Sequence, residues 1–453
     1  MNVLLRERPR PDRIRNHPSA WRLAVLTVCF GAFMGQLDAS ITTLAYPALR
    51  TEFSASLAAV SWVSLSYLLT LTLLLVPTGR LSDALGRKLF YVYGFAVFTA
   101  ASAACALAPS LDTLIVFRVV QALGAAMLQA NSIALISNAA PREKLRQALG
   151  IQAAAQALGL GLGPAVGGLL VDTLGWRWVF GVNVPVGVVA LVGGVFLLPR
   201  TRERTPGLRP DLAPLKQHDV RWGLLGAAGG YLVLFGPLVL VPVIMAARGA
   251  SALSSGLVLT TLPVGFAVGA SFVKCRAGVG LGLAVAALAG LLVLPFEPLV
   301  LVPLLGVLGL GLGAYAPANN AQVMAAVPQK SSGVVSGLLN TARSLGTSGG
   351  VYVVTSAIAL ANHSSGRGAR YAFAGLLLVC LLTLFVAVRQ IHPGTHPVAD
   401  ELVDELPTPL GPQVGPLVRG DDQQRVAHLG QLPRQQWKPG GVGQVEREAA
   451  HSQ

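Results

Sequence analysis

Residues 150–168 read GIQAAAQALGLGLGPAVGG and lie inside an apolar stretch of roughly 145–171, with no charge between Arg146 and Asp172. In water these glycines would prevent a stable helix, because each costs about 1 kcal/mol relative to alanine. In lipid the backbone has to satisfy its own hydrogen bonds, so a helix forms and glycine allows close packing. The stretch therefore predicts a membrane-spanning helix.

Three of these glycines form a narrow stripe along that helix. Gly159, Gly163 and Gly167 are spaced four apart, and each is turned by about 40° from the last. Pro164 removes one backbone donor within the stripe and is expected to bend the helix. Gly150 lies about half a turn away from the stripe. A second helix is expected to approach the stripe closely, although ordinary packing between membrane helices uses similar patterns.

The complete spacing of the stretch is more specific than the stripe. It comprises Gly150, Gly159, Gly163, Pro164, Gly167 and Gly168. This spacing resembles the antiporter signature of the major facilitator superfamily at every defined position. The resemblance implies that the partner of the stripe is the eighth span, where Gly265 and Gly269 offer a matching small face.

The composition is that of a membrane protein. The chain has 453 residues, of which 53% are hydrophobic and 12% charged, whereas soluble proteins carry about 25% charged residues. Apolar stretches recur from Trp21 to Gln390, which predicts a polytopic helical protein in a lipid bilayer. The cysteines have no metal-ligand spacing and are expected to be small core residues. No metal or cofactor is predicted.

Twelve apolar spans predict an all-α fold with two pseudo-symmetric six-helix bundles. The spans are 22–47, 57–77, 89–108, 112–137, 146–171, 177–198, 223–246, 252–273, 277–296, 298–327, 332–361 and 370–390. The predicted organisation is a tail (1–20), a first bundle (21–198), a linker (199–221), a second bundle (222–390) and a disordered tail (391–453).

The loops between the spans differ sharply in positive charge. On one side, counting the N-terminal tail through Arg22, lie 21 Lys and Arg residues, and the opposite loops hold five. The rich side is expected to be cytoplasmic, with both termini inside the cell membrane. This asymmetry explains the net charge of +14 without a nucleic-acid partner.

The two halves share a weak internal repeat. A shift of 187 residues places five glycines and prolines of the first half on identical residues of the second. The pairs are Gly124 and Gly311, Pro141 and Pro328, Gly150 and Gly337, Gly159 and Gly346, and Gly163 and Gly350. The repeat favours duplication of a six-helix unit.

A charged motif lies between the second and third spans. Residues 79–88 read GRLSDALGRK, which resembles the superfamily's loop motif at Gly79, Leu81, Asp83, Gly86, Arg87 and Lys88. Asp83 and Arg87 are expected to form a charge latch. The resemblance implies that Asp83 faces the start of the eleventh span near residues 331–333, where free amides favour an anion. A plain cytoplasmic turn with positive charges is the alternative.

Three formal charges fall well inside spans: Asp38, Arg118 and Arg343. An ionisable group in a bilayer is costly unless it is paired or hydrated, so each is a functional candidate. Asp38 and Arg118 lie in stretches that resemble the first-helix and fourth-helix motifs of the drug:proton antiporter branch. Counted from the outer ends of their spans, both lie in the outer half of the membrane, close enough for long side chains and water to link them. They are expected to couple transport to protons. Arg343 either serves the transport site or extends its guanidinium to the interface.

Uncharged polar residues on the spans either hold helices together or line a substrate cavity. The residues predicted to line the cavity, together with Arg343, are Gln36, Gln129, Asn131, Gln156, Asn319 and Asn320. Residues 175–185, GWRWVFGVNVP, resemble the multidrug branch, whose typical members have fourteen spans. The twelve spans of this chain depart from that pattern.

The favoured function is a monomeric, proton-coupled antiporter that exports amphipathic organic compounds by alternating access. A metabolite exporter or a proton symporter of the same fold is the alternative. An integral-membrane enzyme would want histidines or paired carboxylates at membrane depth. All seven histidines lie in loops or tails and Asp38 is the lone deep carboxylate, so an enzyme is not expected. A receptor or sensor is a further class, and the tail resembles no signalling domain.

Overall fold

The computed structural model describes residues 7, 9–12, 19–200, 213–273, 277–327, 332–361 and 365–390. These residues belong to one compact unit. The predicted tail 391–453, most of the tail 1–20 and over half of the linker 199–221 lie outside the described residues.

Twelve helical segments follow one another along the described chain. They are α1 (Ala20–Glu52), α2 (Leu57–Leu85), α3 (Arg87–Ala106), α4 (Leu111–Ala139), α5 (Leu145–Leu174), α6 (Arg177–Leu197), α7 (His218–Ala247), α8 (Ala252–Phe272), α9 (Ala277–Val293), α10 (Pro298–Ala325), α11 (Ser332–Leu360) and α12 (Ser365–Gln390). Each overlaps one predicted span, although several extend further than the apolar stretch that predicted them.

Two of these segments, both in the first bundle, are interrupted. In α1 a 3₁₀ turn, Thr42–Ala45, separates the helices Ala20–Ile41 and Tyr46–Glu52. In α6 the helix Arg177–Gly181 gives way to Asn183–Leu197. A stretch of 3₁₀ helix inside a longer helix is a common feature of functional hinges.

The connections between helices are short and locally encoded. Ser110 opens α4 with a capping box, in which its hydroxyl accepts from the Thr113 amide and the Thr113 hydroxyl accepts from the Ser110 amide. Gly86 is the single residue between α2 and α3, and its φ of 123° requires glycine. Residues 79–85 are therefore helical, and the predicted turn is confined to Gly86.

The helices divide into two groups. In the first group, α1 packs on α4, α5 and α6, α2 packs on α4, and α3 packs on α4 and α6. In the second group, α7 packs on α10, α11 and α12, and α10 also packs on α8 and α9. The groups meet through α5 against α8 and α2 against α11. This is the predicted all-α arrangement of two six-helix bundles.

The internal repeat has a structural counterpart. Gly159 on α5 lies against the Phe33 carbonyl of α1, and Gly346 on α11 lies against the Ala228 carbonyl of α7. Gly150 and Gly337 both face open space. Equivalent glycines therefore have equivalent surroundings in the two bundles. Pro328, the partner of Pro141, lies outside the described residues.

The outward faces of the helices suit a lipid environment. Ten helices in the described part of the chain are long and apolar enough to cross a membrane, and α9 is a shorter apolar helix. Large apolar side chains such as Leu73, Phe272 and Leu299 are at least 74% exposed. A water-soluble surface rarely exposes so many, so this is a multi-pass membrane protein.

Candidate functional site

A buried ion pair joins α1 to α4. Arg118 Nη1 donates to Asp38 Oδ2 at 2.6 Å, and both side chains are at most 1% exposed. The sequence predicts that both groups lie in one half of the membrane and that long side chains and water link them. They are instead in direct contact. Direct pairing is what makes two buried charges tolerable in a protein interior.

Two uncharged groups, the Val63 carbonyl and the Gln121 amide, also hydrogen-bond the pair. Arg118 Nε donates to the Val63 carbonyl on α2 at 2.9 Å, and its Nη1 also donates to Gln121 Oε1 at 2.6 Å. Gln121 Nε2 donates to Asp38 Oδ1 at 3.0 Å and to Ser102 Oγ at 2.8 Å. The pair is thus tied to α2 and α3 as well as to its own two helices.

The break in α6 supplies the remaining contacts. Asn183, the first residue after the break, donates from Nδ2 to Asp38 Oδ1 at 3.0 Å, and its own Oδ1 is buried without a partner. The Phe180 ring lies 5.5 Å and the Tyr67 ring 4.1 Å from the Arg118 Cζ. The residues at 175–185 that resemble the multidrug branch therefore belong to the surroundings of the ion pair.

Sequence reasoning did not assign Gln121, Asn183, Ser102 or Tyr67 to this cluster. A usable signal existed for Gln121, which follows Arg118 by three residues and so lies on the same face of α4. Asn183 and Tyr67 stand out as polar residues on apolar helices. Nothing in the sequence says which of them faces Asp38, because that depends on how α2 and α6 are rotated.

A cavity of about 400 Å³ lies between the two bundles. Its polar lining residues are Gln36, Tyr67, Gln129, Ser132, Gln152, Gln156, Tyr231, Asn340, Arg343, Ser344 and Thr347. Apolar side chains from α1, α2, α3, α4, α5 and α7 lie between them. Tyr67 takes part in both sites, since its ring lines the cavity and also covers Arg118.

Four of the seven residues predicted for the cavity line it: Gln36, Gln129, Gln156 and Arg343. The other three, Asn131, Asn319 and Asn320, lie elsewhere. The prediction for the cavity also omitted Gln152, Tyr231 and Asn340, although each is a polar residue on an apolar helix.

None of the three asparagines is among the residues that line this cavity. Asn131 is buried and donates from Nδ2 to the Met127 carbonyl of its own helix at 2.8 Å. Asn319 donates to the Gly223 carbonyl on α7 at 2.9 Å, which ties α10 to α7. With Asn320 it lines a separate hollow of about 10 Å³, too small for an organic substrate. Arg343 borders both spaces.

The charged motif 79–88 is more tightly packed than expected of a loop. Arg87 Nε donates to Asp83 Oδ1 at 2.7 Å, as predicted for a latch, with both side chains about one-third exposed. Lys88 is buried and donates from Nζ to the carbonyls of Val195 and Leu198 at 2.8 Å. Lys88 therefore secures α3 to the end of α6. The predicted contact of Asp83 with the amides near residues 331–333 stays a prediction, because residue 331 and the side chains of 332 and 333 lie outside the described residues.

The glycine stripe does not face the eighth span, so that prediction is wrong. A Cβ at Gly159 would overlap the Phe33 carbonyl of α1, and one at Gly163 would overlap the Ser40 hydroxyl of the same helix. Gly265 and Gly269, the proposed partner surface, lie against α10 instead. The stripe holds α5 to α1 inside the first bundle.

The contact between α5 and α8 uses the opposite edge of the antiporter motif. A Cβ at Gly168 would overlap the Ala252 carbonyl, and one at Gly256 would overlap the Pro164 carbonyl. One helical turn beyond Gly168, Asp172 accepts from the amides of Ala252 at 3.0 Å and Leu253 at 2.7 Å. A carboxylate from one bundle thus caps a helix of the other.

Known proteins resemble this chain in sequence and in fold. The chain is 34% identical over 178 residues to the riboflavin transporter RibZ of Clostridioides difficile, covering 39% of each chain. It is 40% identical over 183 residues to the tetracenomycin C resistance and export protein of Streptomyces glaucescens, covering 40% of this chain and 34% of that one. The matches thus span only a third to two-fifths of those relatives' lengths.

The fold itself extends over nearly the whole of a solved transporter. A bacterial homologue of the human lysosomal transporter Spinster, in an inward-facing and occupied conformation, superposes with a TM-score of 0.66 at 18% identity. The match covers 83% of this chain and 98% of that one. The family model described as Major Facilitator Superfamily matches residues 28–351. The match exceeds half of the chain, and this protein belongs to the major facilitator superfamily.

Proposed function

We propose that this protein is a proton-coupled antiporter of the cell membrane that exports amphipathic organic compounds. The two bundles would rock about the cavity between them and expose it to each side in turn. The protein would act as a monomer, since the cavity and the ion pair are built from one chain. The proposed orientation has both termini in the cytoplasm, from the excess of positive charge on that side.

The observation that carries the proposal is the position of the Asp38–Arg118 pair behind the cavity wall. The pair is at most 1% exposed, yet Tyr67, whose ring centroid is 4.1 Å from the Arg118 Cζ, also lines the cavity. Protonation of Asp38 would remove one charge and release Arg118. Because both groups are held to α1, α2 and α4, their separation would alter how these helices pack around the cavity.

The chemistry of the cavity suits the proposed cargo. Its wall alternates amides and hydroxyls with aromatic and aliphatic side chains, which is typical of sites for organic molecules. Two matched relatives are named for riboflavin transport and for tetracenomycin C export. Both of those named compounds are polycyclic molecules with polar edges, which supports an amphipathic substrate here.

The direction of proton movement tests the proposal against its alternatives. Inverted membrane vesicles with an acidic lumen and a fluorescent pH probe would receive riboflavin, a polyketide quinone and a cationic dye separately. An antiporter raises the lumenal pH as substrate enters, because protons leave in exchange. A symporter makes the lumen more acidic, and an uncoupled exporter moves labelled substrate with no change of pH.

Vesicles that hold an Asp38→Asn protein at equal expression provide the matched control. A rise in lumenal pH with the natural chain, absent with this variant, supports antiport through Asp38. A rise of equal size in both would contradict the assignment of the proton carrier. Substrate uptake without any proton movement would contradict coupling altogether.

A further inference from the structure

The cavity carries charge of one sign. Among the described residues that line it, Arg343 alone bears a full charge. Asp38, the nearest deep carboxylate, is not part of the lining and is matched by Arg118 at 2.6 Å. A ligand in the cavity therefore meets an excess positive charge that the protein itself does not neutralise there.

The Arg343 guanidinium has unused hydrogen-bonding capacity. Its Nη1 donates to Asn340 Oδ1 at a long 3.2 Å, and its Nε is buried with no hydrogen-bond partner. A guanidinium has five N–H donors arranged as a fork that fits a carboxylate or another planar oxyanion. A buried donor without an acceptor is unfavourable, so an incoming oxyanion would be stabilised at this position.

Aromatic surface lies next to this donor. The Tyr231 ring centroid is 5.5 Å from the Arg343 Cζ, and Phe235 follows one turn later on α7. Tyr67 and Phe98 line the cavity from the first bundle. A ligand with an acidic group and a ring system could place the acid on Arg343 and the rings against these side chains.

We propose that the cavity selects amphipathic organic anions, and that Arg343 is the residue that recognises their acidic group. The inference rests on the proposed function, in which this cavity is the transport site, and narrows its cargo to one class. Lipophilic cations, a common cargo of multidrug exporters, would be disfavoured by the same charge.

Equilibrium binding to the purified full-length protein in detergent tests this charge preference. The probes are two anions, fluorescein and 8-anilinonaphthalene-1-sulfonate, and one cation, rhodamine 6G, which shares the xanthene ring of fluorescein. The natural protein is expected to bind at least one anion about tenfold or more tighter than the cation. Arg343→Gln should weaken the binding of that anion about tenfold, as expected for the loss of one charge-assisted hydrogen bond. Arg343→Lys should weaken its binding less.

Arg248→Gln is the matched control, because it removes the same charge from the loop between α7 and α8 and should leave anion binding unchanged. Thermal unfolding of each variant separates lost binding from lost folding. If Arg343→Gln does not fold, two other results test the inference. They are the ratio of anion affinity to cation affinity in the natural protein, and the change of that ratio in Arg343→Lys. Equal or tighter binding of rhodamine 6G, no binding of either anion, or unchanged anion binding in a folded Arg343→Gln overturns the inference.

The same probes distinguish this inference from the proposed function. Anion binding through Arg343 without any effect on a pH gradient would leave the substrate class standing and contradict proton coupling. Dissipation of the gradient by rhodamine 6G and by neither anion would leave antiport standing and contradict the substrate class.

Discussion

Asp38 on α1 accepts hydrogen bonds from three side chains on two other helices: Arg118 and Gln121 on α4 and Asn183 on α6. These hydrogen bonds hold the carboxylate in one position. A change in its protonation state would therefore affect all three donors. Under the proposed function, the Asp38→Asn protein keeps the volume of the site and the two hydrogen bonds accepted at Oδ1. It loses the titratable group and the acceptor for Arg118. Substrate binding should then stay within about threefold of the natural value.

Transport against a gradient is the measurement that separates binding from coupling. We expect Asp38→Asn vesicles to equilibrate substrate downhill and to fail at accumulation driven by an imposed pH gradient. Accumulation at the natural level would show that another residue carries the proton.

Arg118 gives a second prediction about the same pair. Arg118→Ala leaves Asp38 buried without its cation, and breaking a buried pair in this way costs about 3–5 kcal/mol. Arg118→Lys keeps the charge but loses the fork that reaches Asp38, Gln121 and the Val63 carbonyl together. Thermal unfolding in detergent should therefore rank natural, Lys and Ala from most to least stable, and pH-driven transport should follow the same order. Equal stability of the Lys and Ala variants would contradict the role of the charge.

Helix packing provides a prediction with a control inside the same motif. Gly159→Ala places a Cβ on the Phe33 carbonyl of α1, a backbone atom that no rotamer change can move. Such overpacking costs about 1–3 kcal/mol. Gly150→Ala on the same helix meets nothing within 4 Å, and alanine favours the helix by up to about 1 kcal/mol. We expect a lower unfolding temperature for Gly159→Ala and no decrease for Gly150→Ala. Two equal decreases would mean that the helix, and not its contact with α1, requires glycine.

The cap that Asp172 places on α8 is a contact that alternating access would have to break. Its two hydrogen bonds join α5 of the first bundle to α8 of the second. Removal of such a cap costs about 1 kcal/mol, which changes a population ratio about fivefold. Asp172→Ala should favour the conformation in which this end of the molecule is open, and Asp172→Asn should have a smaller effect.

Spin labels at Leu107 and Leu299 would measure that opening in a cysteine-free background. Both side chains are at least 79% exposed, and they lie in different bundles at the end where α3 finishes and α10 begins. Longer distances in Asp172→Ala than in the natural chain are the expected result. Asp112→Ala, which removes an acid from the first turn of α4 at the same end, serves as control. Unchanged distances in Asp172→Ala would show that the cap does not hold the bundles together.

The orientation of the protein in the membrane follows from its summed charge. The 21-to-5 asymmetry of Lys and Arg predicts that fusions of a reporter after Arg15 and after Gln390 both report the cytoplasm. A fusion after Gly249, in the loop between α7 and α8, should report the opposite side. A C-terminal fusion on the side opposite to the N-terminal one would mean that the number of spans is odd.

Hydrophobicity and backbone chemistry were enough to predict the number of helices and their order. An apolar stretch in a bilayer has to form a helix, because its backbone groups find no other partners. The spacing of the glycines and of Pro164 in residues 150–168 then indicated the family. The ends of α2 and α3 were harder to predict from the sequence. Residues 79–85 are polar enough to suggest a loop, but they are helical in the structure.

The relations between helices depended on how each one is rotated and how deeply it sits. The sequence identified a stripe of small residues on α5, but a stripe fits any close neighbour, and here the neighbour is α1. It likewise identified deep polar residues without their directions. Arg343 therefore proved to line the cavity while Asn131 bonds to its own helix. Charge alone made Asp38 and Arg118 candidates, because a bilayer penalises every unpaired charge. Their direct contact, the amides of Gln121 and Asn183 and the ring of Tyr67 arise only when four helices pack together.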